Sequence, residues 1–290
     1  MKKSLFMGAL LALGMAATTL SASTLEEVKA RGILNCGTST GVAGFSLPDA
    51  NNVYQGFDVA VCRAVAAAVL GDPMAVEFVP TTGKTRFTAL ASGEVDVLSR
   101  TTTWTFSRDV DLKLDFHGVN YYDGQGFMVP KSLGVTSAKD LDGATVCIQV
   151  GTTTELNLAD FFRVNGITYE PVPTEKSSES RSLYQAEACD VYTTDASGLA
   201  SARSTFADPD AHVILPEIVS KEPLGPVTRH GDNQWGDIVR WTLNALISAE
   251  ELGITKANVA EMAAAPTNNP EINRMMGTEG NLGEMLGLDA

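Results

Sequence analysis

The sequence has few basic residues: 21 lysines and arginines stand against 35 aspartates and glutamates, which gives a formal net charge of −14 at pH 7. A chain of this charge repels polyanions, so the composition disfavours nucleic acid and anionic membrane surfaces as partners. The same charge repels a small anionic ligand at long range. We therefore expect any acidic ligand to be held by locally placed arginines and backbone N–H groups.

Long hydrophobic runs are also scarce. The longest apolar stretch, residues 5–17, is shorter than the ~20 residues that a membrane-spanning helix needs. It follows Lys2 and Lys3 and precedes the small residues Ser21, Ala22 and Ser23, an order typical of a secretory signal peptide. We predict a cleaved signal peptide over residues 1–23 and an exported, soluble mature chain.

Histidine is rare, and the sequence contains no C-x-x-C motif. His117, His212 and His230 stand alone, without the spacing of a metal site or the neighbours that activate a serine or cysteine nucleophile. We therefore expect no metal, no cofactor and no catalytic residue.

What the sequence does contain, from residue 32 onward, is short apolar strands that alternate with helical stretches. This pattern predicts an α/β fold with largely parallel sheets. A first block has predicted strands at residues 33–37, 76–79 and 95–98, and a second block of similar size has predicted strands at residues 145–149, 168–172 and 190–193. Two such blocks indicate two lobes.

The lobes need connections between them. We predict crossovers at residues 125–130 and 218–226, and a helix at residues 235–250 that returns to the first lobe. The predicted boundaries are residues 24–125 with 222–290 for lobe one and residues 126–221 for lobe two. From residue 266 onward the chain is rich in Gly, Asn and Pro, which predicts a loosely structured tail.

The four cysteines lie in an exported chain, where thiols tend to oxidise, and they predict two disulfide bonds. Four cysteines allow three pairings, and the lobes favour one of them. Cys36 with Cys62 and Cys147 with Cys189 keep each bridge within one lobe, whereas crossed pairings would lock a hinge.

Ligands of open α/β sheets bind outside the carboxyl ends of the strands, and three predicted loops there carry suitable chemistry. Residues 99–108 place a run of hydroxyls beside Arg108, and an arginine can hold a carboxylate with two hydrogen bonds. Residues 151–154 open a helix, and residues 193–195 end in Asp195, which can pair with an ammonium group. Each loop also has a structural explanation, as a Ser/Thr turn, a helix cap or a turn-forming aspartate.

Arg86 stands at the start of a predicted helix, where the helix dipole disfavours a positive charge. A ligand carboxylate would explain this position, and so would an arginine that points into solvent.

Four segments in order, QGFDV at residues 55–59, RFTALASGEVD at 86–96, TWTFSR at 103–108 and GTT at 151–153, resemble the family-3 extracellular solute-binding proteins of polar amino-acid ABC transporters. Residues 99–109, 121–129 and 151–161, with the cysteines, are similar to the general L-amino-acid or glutamate/glutamine/aspartate/asparagine binding subgroup. Chains of that subgroup continue some tens of residues beyond Ala290.

The resemblance implies a two-lobed periplasmic binding protein of type II, in which each lobe has a mostly parallel sheet flanked by helices and two hinge crossovers connect the lobes. It also implies a periplasmic location, a free L-amino acid as the ligand and a membrane permease of an ABC transporter as the partner. We expect a monomer.

For the α-amino and α-carboxylate groups of the ligand, the resemblance implies that Arg108 clamps the carboxylate and that Asp195 pairs with the ammonium. Further hydroxyl or backbone donors to the carboxylate are expected from Thr101, Thr103, Thr152 and Thr153.

For the ligand side chain, the resemblance implies that Arg86 contacts a carboxylate and that Lys176 lies near another polar contact. Phe45 is the expected substitute for an aromatic residue that stacks on the ligand. Arg100 stands where many members of the family have a small residue, so either the pocket is altered or this arginine points away.

Three alternatives stay open. Some proteins that resemble this family use the same cleft for dehydratase chemistry, in which Asp195 would act as a base. The chain could also bind L-amino acids broadly, or serve as a receptor's sensory domain, which would need a membrane segment after it.

Overall fold

The structure is a computed structural model of the chain that describes residues 22–289. The predicted signal peptide therefore lies outside the described residues, except for Ala22 and Ser23. Ser23 caps the first helix: its hydroxyl accepts a hydrogen bond from the Glu26 backbone N–H at 3.3 Å, and the Glu26 carboxylate accepts one from the Ser23 N–H at 3.0 Å. This reciprocal capping box fixes where the helix begins.

The strands, in chain order, are β1 (Leu34–Ser39), β2 (Leu47–Pro48), β3 (Tyr54–Gln55), β4 (Val76–Thr81), β5 (Val97–Leu98), β6 (Leu114–Phe116), β7 (Tyr121–Asp123), β8 (Gln125–Pro130), β9 (Ala144–Gln149), β10 (Tyr169–Thr174), β11 (Val191–Asp195), β12 (His212–Ile214), β13 (Glu222–Leu224) and β14 (Val227–Arg229). The α-helices are α1 (Thr24–Arg31), α2 (Phe57–Leu70), α3 (Arg86–Ala91), α4 (Thr153–Asn165), α5 (Ser177–Gln185), α6 (Ala196–Ser204), α7 (Asn233–Glu251), α8 (Val259–Ala264), α9 (Pro270–Met275) and α10 (Leu282–Met285).

Two five-stranded sheets organise the molecule, and each forms the centre of one lobe. The sheet of lobe one has the order β4-β1-β5-β14-β6, and the sheet of lobe two has the order β10-β9-β11-β8-β12. In each sheet the first three strands of this order are parallel to one another. The fourth strand, β14 or β8, pairs antiparallel with both of its neighbours. The predicted α/β fold with two lobes is confirmed, with mixed sheets.

The connections between the lobes lie side by side. Strand β7 pairs antiparallel with β13, so that Asp123 faces Glu222 and Tyr121 faces Leu224. The predicted crossover at residues 125–130 is wrong, because this segment forms β8 inside the sheet of lobe two. Its apolar residues are fully buried there, so the lobes are joined one step earlier, through β7 and Gly124.

The core of lobe one includes residues of α7, which follows the second crossover in the chain. Val65 and Val69 of α2 and Ile238 of α7 are buried in one apolar cluster. Trp235 of α7 is 1% exposed in the same cluster, and its indole N–H donates to the Asp96 carbonyl at 3.0 Å. The predicted return of this helix to lobe one is confirmed.

The C-terminal tail is more ordered than its composition predicts. Helices α9 and α10 lie within it, and Leu286 and Leu288 pack against the core of lobe one. Asn273 organises the segment, because its side chain accepts a hydrogen bond from the Thr267 N–H at 2.6 Å and donates one to the Thr267 carbonyl at 3.0 Å. Hydrogen bonds from polar side chains to the backbone thus order this segment, and such bonds leave no hydrophobic periodicity in the sequence.

Both disulfide bonds have the predicted pairing. Cys36–Cys62 joins β1 to α2, and Cys147–Cys189 joins β9 to the segment before β11, so each bridge stays within one lobe. For loops of this length the chain-entropy estimate is about 3 to 4 kcal/mol of stabilisation for each bridge. Within residues 22–289, no helix is long and apolar enough to cross a membrane.

Helix α7 offers a matched test of the lobe-one core. Trp235→Ala should lower the free energy of unfolding by about 3 to 5 kcal/mol, because it leaves a cavity and removes the bond to Asp96. Trp241 on the same helix is 56% exposed, and Trp241→Ala should change stability by less than about 0.5 kcal/mol. Urea denaturation followed by circular dichroism measures both, and equal losses would contradict this packing.

Candidate functional site

The two lobes meet at the carboxyl ends of their parallel strands. Gly83, just before α3 in lobe one, lies so close to lobe two that a Cβ atom on it would come within 2.5 Å of the Val150 carbonyl oxygen. Arg86 donates to the Gly151 carbonyl at 3.4 Å, and Lys84 pairs with Glu175 at 3.8 Å. The lobes are therefore closed on one another, with loops from both at the contact.

The loop after β5 carries Thr101 and Thr103 and is held in an unusual shape. Thr101 has a φ of 49°, a left-handed conformation that residues other than glycine seldom adopt. Its N–H donates to Asp58 Oδ2 at 2.9 Å, and the Ser99 hydroxyl donates to Asp58 Oδ1 at 3.2 Å. Asp58 is thus the anchor of this loop, and burial raises its pKa to about 6.

Arg108 is buried at the end of the same loop. Its Nη1 donates to the Thr103 carbonyl at 2.8 Å, and its guanidinium lies 5.2 Å from the ring centre of Phe87. These contacts fix its direction and leave other N–H groups for a ligand. Burial lowers the pKa of Arg108 to about 10, so the side chain is still charged at neutral pH.

Arg86 is only 2% exposed, which rules out the interpretation that it points into solvent. Its guanidinium lies 4.6 Å from the ring centre of Phe87, so one phenyl ring is close to both arginines. Burial, followed by the charges of Arg100 and Arg108, lowers the pKa of Arg86 well below its ordinary value.

Arg100, whose direction the sequence left open, is also buried. It is 5% exposed, and burial together with the charge of Arg108 lowers its pKa to about 10. Arg86, Arg100 and Arg108 form one buried cluster, which we call the arginine cluster. Like charges at this depth are unfavourable unless anions compensate them.

Thr152 and Thr153 of lobe two stand at the start of α4 but do not cap it. The Thr152 hydroxyl donates to the Gln149 carbonyl at 2.7 Å, and the Thr153 hydroxyl donates to Glu222 at 2.9 Å. The Thr152 side chain makes no capping hydrogen bond, and the Glu155 carboxylate accepts one from the Gly151 N–H at 3.0 Å, so helix capping does not account for these threonines. The N–H groups of the first helical turn remain free to bind an anion.

Asp195 ends β11 and faces the arginine cluster from lobe two. Burial, followed by the charges of Glu222 and Asp123, raises the pKa of Asp195 to about 8, while Arg86 and Arg108 act in the opposite direction. An ammonium group beside Asp195 would favour its ionised form.

Glu222 is a central residue that the sequence reasoning missed. It is 2% exposed, and its carboxylate accepts hydrogen bonds from Thr153 at 2.9 Å, Asn157 at 2.7 Å and Ser220 at 2.6 Å. It thereby ties the second crossover to α4. Its only sequence signal is its place in the predicted crossover, beside two prolines.

The structure does not bring every predicted residue to the cluster. Phe45 is 7% exposed and packs edge-on against Tyr121 at 5.3 Å and Phe57 at 6.4 Å, so its ring is part of an aromatic group in lobe one. Lys176 is exposed at the start of α5. An interlobe groove of about 670 Å³ lies near it, lined by Lys84 of lobe one and by Val150, Glu175, Ser178 and neighbouring residues of lobe two.

Two α/β lobes that close over buried arginines and a facing carboxylate define a solute-binding protein with a site for a small zwitterion or anion. Residues 34–257 match the family described as bacterial extracellular solute-binding proteins, family 3. The chain belongs to this family.

Three relatives illustrate the similarity. The glutamate/glutamine/aspartate/asparagine-binding protein BztA of Rhodobacter capsulatus is 66% identical over 100% of this chain and 85% of the relative. The general L-amino acid-binding periplasmic protein AapJ of Rhizobium johnstonii is 57% identical over 95% of this chain and 81% of the relative. A solved ABC transporter/periplasmic binding protein from Brucella ovis with glutathione bound is 55% identical, with a TM-score of 0.88 over 93% of this chain and 84% of that chain.

Asp195 provides a test of the site's electrostatics in the ligand-free protein. Its raised pKa means that the folded state holds a proton between pH ~4 and ~8 that the unfolded state releases, so this contribution to stability is present below pH ~4 and is lost toward pH ~8. Asp195→Asn should match the wild type at pH 4 and melt at least about 2 °C higher at pH 8.

Thermal melts across this range, with the exposed Glu94→Gln as the control, measure the difference. A variant that melts lower than the wild type at pH 8 would mean that the arginines already hold Asp195 ionised, which would contradict the raised pKa.

Proposed function

We propose that the chain is the periplasmic substrate-binding component of an amino-acid ABC transporter, and that it captures glutamate, glutamine, aspartate or asparagine by lobe closure. The observation that carries the proposal is the placement of Arg108 on lobe one opposite Asp195 on lobe two. This pair complements the α-carboxylate and the α-ammonium of an amino acid, and the names of the relatives support the same ligand class.

Binding begins on lobe one in this scheme. Arg108, held by Thr103 and Phe87, receives the α-carboxylate, and closure then brings the start of α4 and Asp195 onto the ligand. The ligand stabilises the closed form by the contacts that only this form provides. Thr101, Thr103, Thr152 and Thr153 serve as further donors to the carboxylate.

The hinge follows from the lobe boundaries, which we propose at residues 24–125 with 222–290 and residues 126–221. Strands β7 and β13 carry both crossovers and pair with each other, so they bend together when the lobes separate. Opening must also break the bond between Glu222 and Thr153, because these residues belong to different lobes.

Location and partner complete the proposal. The closed, loaded protein is recognised by the membrane permease of its transporter, and it works in the periplasm as a monomer. The extracellular solute-binding family and the periplasmic relative support this location.

A glutathione-type peptide is a second candidate ligand. The groove of about 670 Å³ beside Lys84 offers room outside the arginine cluster, and the Brucella ovis relative has glutathione bound. The γ-glutamyl group carries the same α-amino-acid moiety that Arg108 and Asp195 complement, so both candidates use one binding mode.

Dehydratase chemistry is the alternative from another class. Asp195, with a pKa near 8, has the proton affinity of a general base. The names of the relatives favour a binding protein instead. Turnover assays on cyclic acid substrates separate the two.

A thermal-shift screen and calorimetry test the proposal. After unfolding, dialysis and refolding to remove any bound ligand, the wild type should be stabilised by Glu, Gln, Asp and Asn among the twenty amino acids. Arg108→Ala should lose measurable glutamate binding, because it leaves the ligand carboxylate buried without its counter-charge. Exposed Arg163→Ala on α4 is the control. Near-native glutamate affinity in Arg108→Ala would refute the assignment.

A further inference from the structure

Arg100 is a buried cation that makes no hydrogen bond or ion pair with the residues that the structure describes. Its side chain is 5% exposed, its Nε atom has no hydrogen bond, and no carboxylate lies within ion-pair distance of it anywhere in residues 22–289. A buried guanidinium is costly unless charged or polar groups compensate it. The charges of Asp58 and Asp195 raise the pKa of Arg100, but burial outweighs them, so the described protein atoms offset only part of this cost.

Asp58 is the main negative charge that acts on Arg100, but its hydrogen bonds go to other groups. Oδ1 accepts from the Ser99 hydroxyl and Oδ2 accepts from the Thr101 N–H. Asp58 therefore shapes the loop around Arg100 and is not hydrogen-bonded to Arg100. No ion pair within residues 22–289 explains why an arginine stands at this position.

Arg86 also has few hydrogen bonds. Its Nε atom is also buried without a hydrogen bond, and its single bond, to Gly151, is long at 3.4 Å. Among the neighbouring cations, Arg100 lowers the pKa of Arg86 more than Arg108 does. Arg108, by contrast, is tied to Thr103 at 2.8 Å. The cluster thus divides into one fixed arginine and two neighbouring arginines with free donors.

We propose that Arg100 is a second contact for the side-chain carboxylate of the ligand, beside the Arg86 that the family resemblance already implies, so that the protein prefers glutamate and aspartate to their amides. The inference rests on the proposed function, in which Arg108 and Asp195 hold the α-carboxylate and α-ammonium. An acidic amino acid brings a second carboxylate, which offers both guanidinium groups charge-assisted hydrogen bonds. The amide brings a neutral group with only one acceptor oxygen.

Calorimetry with glutamate and glutamine, which have nearly the same shape, isolates this charge. The ligand-free wild type should bind glutamate at least about 10-fold more tightly than glutamine. Arg100→Gln should weaken glutamate binding at least about 10-fold and change glutamine binding less than about 3-fold. Arg100→Lys keeps the charge but loses the planar guanidinium group. Its affinity for glutamate should lie between those of the wild type and of Arg100→Gln.

The control is Arg163→Gln, an exposed change on α4 that should leave both affinities unaltered. Arg100→Gln should also raise the melting temperature of the ligand-free protein, because it removes one of three buried like charges. A lower melting temperature with equal losses for both ligands would identify Arg100 as structural and overturn the inference.

Two further results have distinct meanings. Unchanged glutamate binding in Arg100→Gln, or tighter binding of glutathione than of glutamate by the wild type, overturns the inference and leaves amino-acid recognition intact. A wild type that binds none of these ligands overturns the proposed function itself, and the inference with it.

Discussion

The structure depends on keeping three guanidinium groups buried together. Arg86, Arg100 and Arg108 are each more than nine-tenths buried, and burial, followed by the charges of the other two arginines, lowers the pKa of Arg86 well below its ordinary value. Such an arrangement is stable only where anions face it. Glu222 faces the cluster from the hinge, and Asp195 faces it from the other side of the closed cleft, where a ligand ammonium favours its ionised form. A ligand carboxylate supplies further negative charge.

The scaffold holds these charges in place by local means. Asp58 fixes the left-handed turn at Thr101, and the Phe87 ring lies close to two arginines. One disulfide in each lobe ties a parallel strand to a neighbouring segment, β1 to α2 and β9 to the residues before β11. Glu222 adds a bond across the lobes at the hinge. Closure and charge compensation are thus coupled, since the movement that closes the lobes brings Asp195 of lobe two to the cluster.

Much of this was predictable, because it is local in the sequence. Strand and helix periodicity gave the two lobes, the lobes gave the cysteine pairing, and the helix-start position of Arg86 indicated an unusual charge. Glu222 was missed because its partners, Thr153 and Asn157, are more than sixty residues away in the chain. The tail after residue 266 was mispredicted because Asn273 orders it through polar bonds, which leave no apolar period. The direction of Arg100 depends on loop packing around Asp58, which spacing does not encode.

Ligand carboxylates are expected to complete the arginine cluster. A crystal structure of the refolded protein with L-glutamate tests this expectation most directly. We expect the α-carboxylate on Arg108, the ammonium on Asp195, and the side-chain carboxylate within hydrogen-bond distance of both Arg86 and Arg100. A glutamate whose side-chain carboxylate points away from these two arginines, or that binds outside the cleft, would contradict it.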